Sequence, residues 1–421
     1  MNNTYATLIT IGDELLIGQV IDTNSAWMAQ QLNAIGVIVK RRISVGDNKD
    51  DIIGALDDAA KDTKIILITG GLGPTADDIT KPLLCDYFGG AMVVDPGALQ
   101  NVTAIFKRLN RPMIPRNLQQ AEVPDVCTVI QNKRGTAPGM WFEKNDCIFV
   151  SMPGVPHEMK GMMENDVLKA LTARFSLPFI IHKTLLTAGV GESFLADLIS
   201  EWEQALPATI KLAYLPNYGM VRLRLTAIGE NKSTLENNVT AEFERLQELV
   251  KDYLVTTKDE PMEAVVAGLL KTRKKTMSTA ESCTGGYIAH LVTSMPGSSA
   301  IYLGSVVSYD NSVKQHVLGV SADSLQLEGA VSEEVVSQML KGVLNKTNTD
   351  YAVAVSGIMG PDGGSVTKPV GTVWIAAGNT QQIITRQFHF RFDRRRNIEL
   401  TATTALNMLR QFILADEAEL Y

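Results

Sequence analysis

A polar loop, Thr279-Ala280-Glu281-Ser282-Cys283-Thr284-Gly285-Gly286, follows one apolar segment of the chain and precedes another. Residues 275–278 before the loop are expected to form a short strand, and residues 287–292 after it have helical spacing. Free backbone N–H groups at such a helix start favour anions, and glycines let a ligand approach the backbone closely. Because the loop also carries a hydroxyl and a thiol, we expect it to hold a nucleophile.

Two further strand ends in the same half of the chain carry polar groups. They are residues 309–314, which include Tyr309 and Lys314, and the glycine-rich residues 356–364. Serine–lysine pairs are a known variant of hydrolase chemistry, so Lys314 is a candidate base for Ser282 if the amine is neutral. Tyr309 could relay the proton or orient the lysine. The ordinary alternative is a capping serine, a half-buried tyrosine and a solvated lysine, and the two interpretations weigh about evenly.

The N-terminal part predicts a different site. Strands at 5–11, 37–45 and 64–69 alternate with helices, which indicates right-handed crossovers and a parallel sheet. Ligands collect at the carboxyl ends of such strands, where two acid-bearing loops follow, 12–14 and 70–78. Hard cations take oxygen ligands, and glycine N–H groups cradle phosphate. The carboxylates are Asp13, Glu14, Asp77 and Asp78, although Asp77 and Asp78 could simply cap the next helix.

Composition and motifs exclude several other classes of protein. The net charge of −7 and the pI of about 5.4 disfavour non-specific nucleic-acid binding, which needs a basic surface. The four scattered cysteines and five histidines show neither a disulfide framework nor zinc-ligand spacing. The sequence GGLGPT is not the GxGxxG of a dinucleotide site. Without a signal-like or membrane-spanning segment, we expect a cytoplasmic enzyme that acts on small molecules and not on a membrane.

The length of 421 residues indicates two or three domains. The pattern changes near residue 178 to a strand, a helix, two strands and a charged helix, which predicts a small α+β domain. We therefore expect domains at 1–172, 173–257 and 258–421. The first is predicted to be an α/β domain with a doubly wound, mostly parallel sheet, and the last is predicted to be a second α/β domain.

Motifs across nearly the whole chain resemble those of the competence-damage-inducible CinA family. Residues 261–409 contain, in the order typical of the family, the motifs ESCTGG, GSVVSYDNSVKQ, GAVS, SGIMGPDGG and KPVGTVW. An Asp-Arg pair that includes Arg394 follows them. The N-terminal motifs resemble the molybdopterin-binding-like domain of the family; they are IGDELLIGQVIDTNS, ITGGLGPTADDIT, GTAPG and MPGVPHEM. The middle segment resembles the KH-like insert but lacks GxxG between two helices, so nucleic-acid binding is not expected.

The resemblance implies that the C-terminal domain hydrolyses the amide of nicotinamide mononucleotide to the acid and ammonia, without a cofactor. Ser282 would attack the amide carbon, and Lys314 with Tyr309 would handle its proton. An oxyanion donor of this kind is worth roughly 3 kcal/mol of barrier. The implied oxyanion donors are the backbone N–H groups of Thr284, Gly285 and Gly286, and the candidates for the ribose phosphate are Gly357, Gly360, Gly363, Gly364 and Arg394.

For the N-terminal domain the resemblance implies an ADP-ribose pyrophosphatase that depends on a divalent metal such as Mg, Mn or Co. The metal would lie on Asp13, Glu14, Asp77 and Asp78, and the phosphate on Gly71, Gly73 and Thr75. A homodimer is also implied.

Two alternatives stay open. One makes Cys283 the nucleophile, because a thiol at a helix start has a lowered pKa. The other is a non-catalytic protein that binds a nucleotide or pterin and is linked to competence or recombination.

Overall fold

A computed structural model of the chain describes residues 4–75, 78–217 and 219–418, except for the side chains of 417 and 418. Asp77, one of the expected metal ligands, lies outside the described residues. The chain divides into two compact units, Met1–Ile181 with Ala227–Asn238, and His182–Thr226 with Val239–Tyr421. None of the described helices is long and apolar enough to cross a bilayer.

The N-terminal part is an α/β domain, as predicted. Its strands are β1 Tyr5–Ile11, β2 Ile38–Val45, β3 Ile65–Thr69, β4 Met92–Val94, β5 Glu122–Pro124, β6 Thr128–Ile130, β7 Gly139–Lys144 and β8 Cys147–Met152. Its helices are α1 Asp13–Leu16, α2 Thr23–Ala34, α3 Lys49–Asp62, α4 Thr80–Phe88, α5 Pro96–Arg108, α6 Pro115–Gln119, α7 Pro156–Met162 and α8 Leu168–Arg174, with a π-helical turn Met163–Val167 before α8.

The main sheet of this part has the order β2-β1-β3-β8-β7-β6. Strands β2, β1, β3 and β8 pair in parallel, and β7 and β6 extend the sheet in antiparallel fashion. Separate apolar clusters cover its two faces, one including α2, α7 and α8 and the other including α3 and α4. Because the four parallel strands end at one edge, the loops after β1, β3 and β8 meet there.

The middle segment forms a small α+β domain, as expected from its change of pattern. Its strands are β9 Phe179–Ala188, β10 Ile210–Asn217, β11 Met220–Gly229 and β12 Leu254–Thr256, and its helices are α9 Glu192–Leu198, α10 Ser200–Gln204 and α11 Lys232–Leu249. The sheet has the order β10-β11-β9-β12. Along β11 buried and half-buried residues alternate, which is the pattern of a sheet with one covered face.

The C-terminal part is a second α/β domain. Its strands are β13 Met277–Glu281, β14 Tyr302–Val307, β15 Tyr351–Gly357, β16 Thr372–Gly378 and β17 Ile383–His389. Its helices are α12 Met262–Arg273, α13 Tyr287–Thr293, α14 Asn311–His316, α15 Ala322–Leu327, α16 Glu333–Thr347 and α17 Arg394–Ala418, with a 3-10 turn Ser298–Ala300. The sheet order is β14-β13-β15-β16-β17, with α16 on one face and α12, α13 and α17 on the other.

The first strand of this sheet lies later in the chain than expected. The sequence predicted a strand at residues 275–278, whereas β13 runs to Glu281. Its backbone stays in the ladder because Glu281 aligns with Val307 of β14 and Val355 of β15, both in parallel. The nucleophile loop therefore starts at Ser282, between two neighbouring strand ends.

Candidate active sites

Ser282 is the first residue after β13 and is only 8% exposed. Its backbone N–H donates to the carbonyl of Val355 at 3.0 Å, which fixes it against the end of β15. The chain then turns through Gly285 and Gly286 into α13. Gly286 has φ +96°, a left-handed conformation that an L side chain rarely adopts, so glycine is required where the loop enters the helix.

Glu281, immediately before the serine, holds this loop together. Its carboxylate is fully buried. It accepts hydrogen bonds from two hydroxyls and three backbone N–H groups, namely Thr279 Oγ1 at 3.1 Å, Thr284 Oγ1 at 2.7 Å, Gly286 N at 3.1 Å, Ile288 N at 3.0 Å and Ala289 N at 2.8 Å. The carboxylate thus satisfies first-turn donors of α13, where negative charge is favourable. No role for Glu281 was predicted from the sequence, although an acid before a glycine loop is visible there.

The expected oxyanion donors are partly used inside the loop. The N–H of Gly286 donates to Glu281, and the N–H of Gly285 donates to the carbonyl of Ser282 at 3.2 Å. The expectation that both glycines hold the oxyanion is therefore wrong for this conformation. The N–H groups of Cys283 and Thr284 instead lie close enough to the Cys283 thiol to favour its thiolate.

Lys314 is buried, with 1% of its surface exposed, and is not the solvated lysine of the ordinary interpretation. It lies on α14, whose first turn is capped by the side chain of Asp310. Its Nζ donates to the backbone carbonyls of Ser308 at 2.7 Å and Tyr309 at 3.1 Å. Burial lowers the pKa of Lys314, and the nearby Cys283 and Asp310 oppose that shift only in part. A lysine in this environment gives up its proton more readily than one in water.

Tyr309 contacts Lys314 through its backbone and not through its phenol. The side chain is 62% exposed, and its hydroxyl accepts a hydrogen bond from Arg394 Nη2 at 3.0 Å. Arg394 also donates through Nη1 to the carbonyl of Gly360 at 2.7 Å. The expected Tyr309–Lys314 proton relay is therefore absent from these contacts, whereas Arg394 joins Tyr309 to the glycine-rich loop.

The glycine-rich loop after β15 has a covered base and an open tip. Gly357 is half-buried and Gly360 buried, whereas Gly363 and Gly364 are exposed. Among the candidates for phosphate binding, the structure thus brings Arg394 and Gly360 into direct contact. It leaves the tip glycines open to solvent.

Cys283 is 5% exposed, and burial raises the pKa of its thiol to about 12. The expectation of a lowered pKa at the helix start is wrong because desolvation outweighs the nearby N–H groups. The thiolate is the reactive form of cysteine, so Cys283 is a poor nucleophile at neutral pH.

A cavity of about 440 Å³ lies at the carboxyl edge of the N-terminal sheet. The loops after β1, β3 and β8 all contribute to it, as the parallel topology requires. Its polar and glycine lining residues are Gly12, Glu14, Asp47, Gly70, Gly71, Gly73, Asp78, Gln120, Thr136, Gly154 and Glu158. Gly70, at φ +116°, leaves no room for a side chain, since a Cβ there would lie 2.1 Å from the carbonyl oxygen of Ile11.

Asp78 folds back onto the loop expected to bind phosphate. Its carboxylate accepts hydrogen bonds from the N–H of Gly73 at 2.8 Å, the N–H of Thr75 at 2.9 Å and the Thr75 hydroxyl. It does not cap the next helix, since α4 begins at Thr80 without a side-chain cap. The predicted phosphate donors Gly73 and Thr75 are thus occupied by a carboxylate of the chain.

Among the expected metal ligands that the structure describes, Asp13, Glu14 and Asp78 do not gather into one site. The Asp13 carboxylate accepts the N–H of Asp47 at 3.2 Å, and Glu14 lies over the backbone of Gly12. Within residues 4–75, 78–217 and 219–418, no three His, Cys, Asp or Glu side chains are close enough to hold a metal ion. The described carboxylates therefore do not fit a three-ligand metal site.

Two titratable groups near this cavity received no individual role from the sequence, although Glu158 lies in the MPGVPHEM motif. Burial lowers the pKa of Lys81 to about 8, and its Nζ donates to the carbonyl of Gln120 at 3.0 Å. Burial raises the pKa of Glu158, whose carboxylate accepts a hydrogen bond from Asn132. Perturbed groups in a cleft are candidates for a functional site. Burial causes both pKa shifts, and burial cannot be read from the local sequence.

Family models match the chain in three consecutive segments. Residues 7–173 match a probable molybdopterin binding domain, residues 182–256 the KH domain of damage-inducible protein CinA, and residues 259–413 the CinA C-terminal domain.

Relatives match over nearly the full length. The CinA-like protein of Cytophaga hutchinsonii is 44% identical over 97% of this chain and 97% of its own length. The CinA-like protein of Flavobacterium psychrophilum is also 44% identical, over 97% of this chain and 98% of its own length. The solved structure of the competence/damage inducible protein CihA from Agrobacterium tumefaciens is 37% identical, covers 36% of this chain and 92% of its own, and has a TM-score of 0.35. The identity to full-length relatives and the order of the matched domains show that this chain belongs to the CinA family.

Proposed function

We propose that the C-terminal domain hydrolyses the amide of nicotinamide mononucleotide to nicotinate mononucleotide and ammonia. The observation that carries this proposal is the buried amine of Lys314 at the strand edge where Ser282 begins its loop. A buried amine with a lowered pKa supplies the base that serine needs and that histidine supplies in other hydrolases.

In the proposed reaction, neutral Lys314 takes the proton of the Ser282 hydroxyl as its oxygen bonds to the amide carbon. The N–H groups of Cys283 and Thr284 are our candidates for the oxyanion, since those of Gly285 and Gly286 have partners within the loop. Loss of ammonia leaves an acyl ester on Ser282, which water hydrolyses to the acid. Arg394 would bind the substrate phosphate, with Tyr309 positioning its guanidinium.

The test is ammonia release from nicotinamide mononucleotide by the purified full chain. We expect Lys314→Ala to lose at least about 10²-fold in kcat, which is within the range of general-base effects. Lys341→Ala, which alters an exposed lysine on α16, is the matched control. Equal rates for the two variants would contradict the role of Lys314, and a silent wild type would contradict the activity itself.

For the N-terminal domain we propose an ADP-ribose pyrophosphatase, supported by a glycine-lined cavity at the carboxyl edge of its parallel sheet. We also propose that it needs Mg, Mn or Co, and that the chain forms a homodimer. AMP release from ADP-ribose, measured with each metal and with EDTA, tests the activity, and light scattering tests the dimer.

One observation favours a second candidate function for this domain. The carboxylate of Asp78 occupies the N–H donors of the glycine loop. This suits a domain that binds a nucleotide or pterin without hydrolysing it. Saturable binding of ADP-ribose without AMP release under any of the three metals would establish this alternative.

A further inference from the structure

Ser308 is a buried serine whose hydroxyl the fold does not use. Its side chain is fully buried, and Oγ has no hydrogen-bond partner within the described part of the chain. Leaving a buried hydroxyl unsatisfied costs free energy, so such a group needs an explanation. Its position at the active-site edge of the sheet provides one.

Ser308 lies between the strand that carries the nucleophile and the lysine. It follows β14 and continues the ladder, because its N–H donates to the carbonyl of Glu281 at 2.8 Å. Its own carbonyl accepts the Lys314 amine at 2.7 Å. Ser308 is thus bonded through its backbone to Lys314 and to Glu281, the residue before the proposed nucleophile.

The sheet register places the Ser308 and Ser282 side chains on one face. Ala280 and Val306 are register partners and pack in the same apolar cluster on the α16 side. Ser282 and Ser308 directly follow the two strand ends, and their N–H groups continue the ladder by one residue. Continuing the alternation of side chains by that one residue assigns both to the same face. The two hydroxyls therefore end neighbouring strands on the same side of the sheet.

The serine on the other side of Ser282 provides a comparison. Ser356 ends β15 and is also buried, but its Oγ donates to the carbonyl of Ala330 at 2.7 Å. Of the hydroxyls of the two flanking serines, that of Ser356 has a hydrogen bond, and that of Ser308 has none among the described residues. This difference distinguishes Ser308 from an ordinary buried serine.

A proton donor at this place would serve amide hydrolysis. The nitrogen of the substrate amide leaves the tetrahedral intermediate readily only after it gains a proton. The available proton is the one that Lys314 took from Ser282. The Lys314 amine already donates to two carbonyls beneath the strand end. Ser308 contacts that amine through its carbonyl, and its hydroxyl, once rotated or shifted towards the amine, can give one proton and receive another in the same step.

We propose that Ser308 is a further catalytic residue, which passes the proton from Lys314 to the departing amine. As the C–N bond breaks, the amine takes the Ser308 hydroxyl proton, and Ser308 takes one from the Lys314 ammonium. Ammonia, neutral Lys314, neutral Ser308 and the acyl ester of Ser282 remain, so protons and electrons balance. This inference rests on the proposed amidase function.

The test compares an amide with an ester of the same nucleotide. A nitrophenyl ester of nicotinate mononucleotide requires the same attack by Ser282, but its phenolate leaves without a proton. We expect Ser308→Ala to lower kcat for the amide by about 10²-fold and for the ester by about 2-fold or less. Ser308→Thr, which keeps a hydroxyl, should recover part of the amide rate.

Stability separates this role from a structural one. Ser278 is equally buried in β13, but its Oγ is hydrogen-bonded to Thr349 at 2.8 Å, so Ser278→Ala should lower the Tm. Ser308→Ala loses no such bond and should unfold at the wild-type temperature. Equal losses for amide and ester, or no loss for the amide, would overturn the proposal. A wild type inactive on both substrates would instead remove the amidase function on which it rests.

Discussion

The Glu281 carboxylate accepts the backbone N–H of Gly286 at 3.1 Å, so the chain fills an anion site that its own glycine loop creates. The N-terminal domain repeats the arrangement, with Asp78 accepting the N–H of Gly73 at 2.8 Å. In both loops a nearby acid satisfies donors that would otherwise face a ligand. These two acids are therefore expected to organise their loops and not to react.

Glu281→Gln tests this role in the C-terminal domain. A glutamine has one acceptor oxygen where the carboxylate has two, so its NH₂ must face at least one of the donors. We expect the free energy of unfolding to fall by roughly 3 kcal/mol in urea titrations. The exposed Glu328→Gln should change it by less than about 0.5 kcal/mol. Similar unfolding curves for both variants would contradict the role.

Asp78→Ala tests the same role in the N-terminal domain. The substitution releases the N–H groups of Gly73 and Thr75 and loosens the loop that lines the cavity. We expect AMP release from ADP-ribose to fall by about 10²-fold, since misplaced binding groups have effects of that size. Asp86→Ala, on the exposed face of α4, is the control. Unchanged AMP release from Asp78→Ala would show that the loop does not need the carboxylate.

Lys314 gives the proposed amidase a predictable pH dependence. Burial lowers its pKa below the ordinary 10.5, so the active neutral form increases as pH rises towards that lowered pKa. We expect kcat to rise with pH and then level off below pH 10.5. Lys314→Arg stays charged throughout and should abolish both the rise and most of the activity.

The lowered pKa of Lys314 also predicts how the free energy of unfolding depends on pH. A lysine with a lowered folded-state pKa holds fewer protons in the folded than in the unfolded chain between the two pKa values. The wild type should therefore gain stability relative to Lys314→Met as pH rises from the folded-state pKa to about 10.5. A pH-independent difference between the two unfolding free energies would contradict the lowered pKa.

Tyr309 and Arg394 should act as one unit on substrate binding. Their hydrogen bond of 3.0 Å lies away from the Lys314 amine, so Tyr309→Phe should raise KM more than it lowers kcat. Arg394→Ala should raise KM further, and the double variant should show less than additive loss in kcat/KM. A loss in kcat with unchanged KM would return Tyr309 to the proton-relay role expected from the sequence.

Sequence patterns predicted the general layout because that layout follows from local rules. Alternating strands and helices required a parallel sheet at the N-terminus, and this placed the loops beginning at Gly12 and Gly70 on one edge. Likewise, Ser282 and Lys314 were predicted near each other because each follows a strand of the C-terminal domain. The antiparallel strands β6 and β7 carry no local signal of their direction.

The patterns failed where a contact depends on tertiary packing. Lys314 lies in the polar sequence Asp-Asn-Ser-Val-Lys-Gln, and only the inward direction of α14 buries it. The raised pKa of Cys283 has the same origin, since burial outweighs the helix start. Which acid reaches which N–H depends on loop conformation, so the partners of Glu281 and Asp78 could not be predicted.

Ammonia release by Ser282→Ala and Cys283→Ala, each compared with the wild type on nicotinamide mononucleotide, tests the central claim most directly. We predict that Ser282→Ala loses essentially all turnover, because no oxygen remains to attack the amide carbon. Cys283→Ala should keep a rate within about tenfold of the wild type, since its thiol has a pKa of about 12. Wild-type ammonia release from Ser282→Ala, or its loss only in Cys283→Ala, would contradict a serine nucleophile.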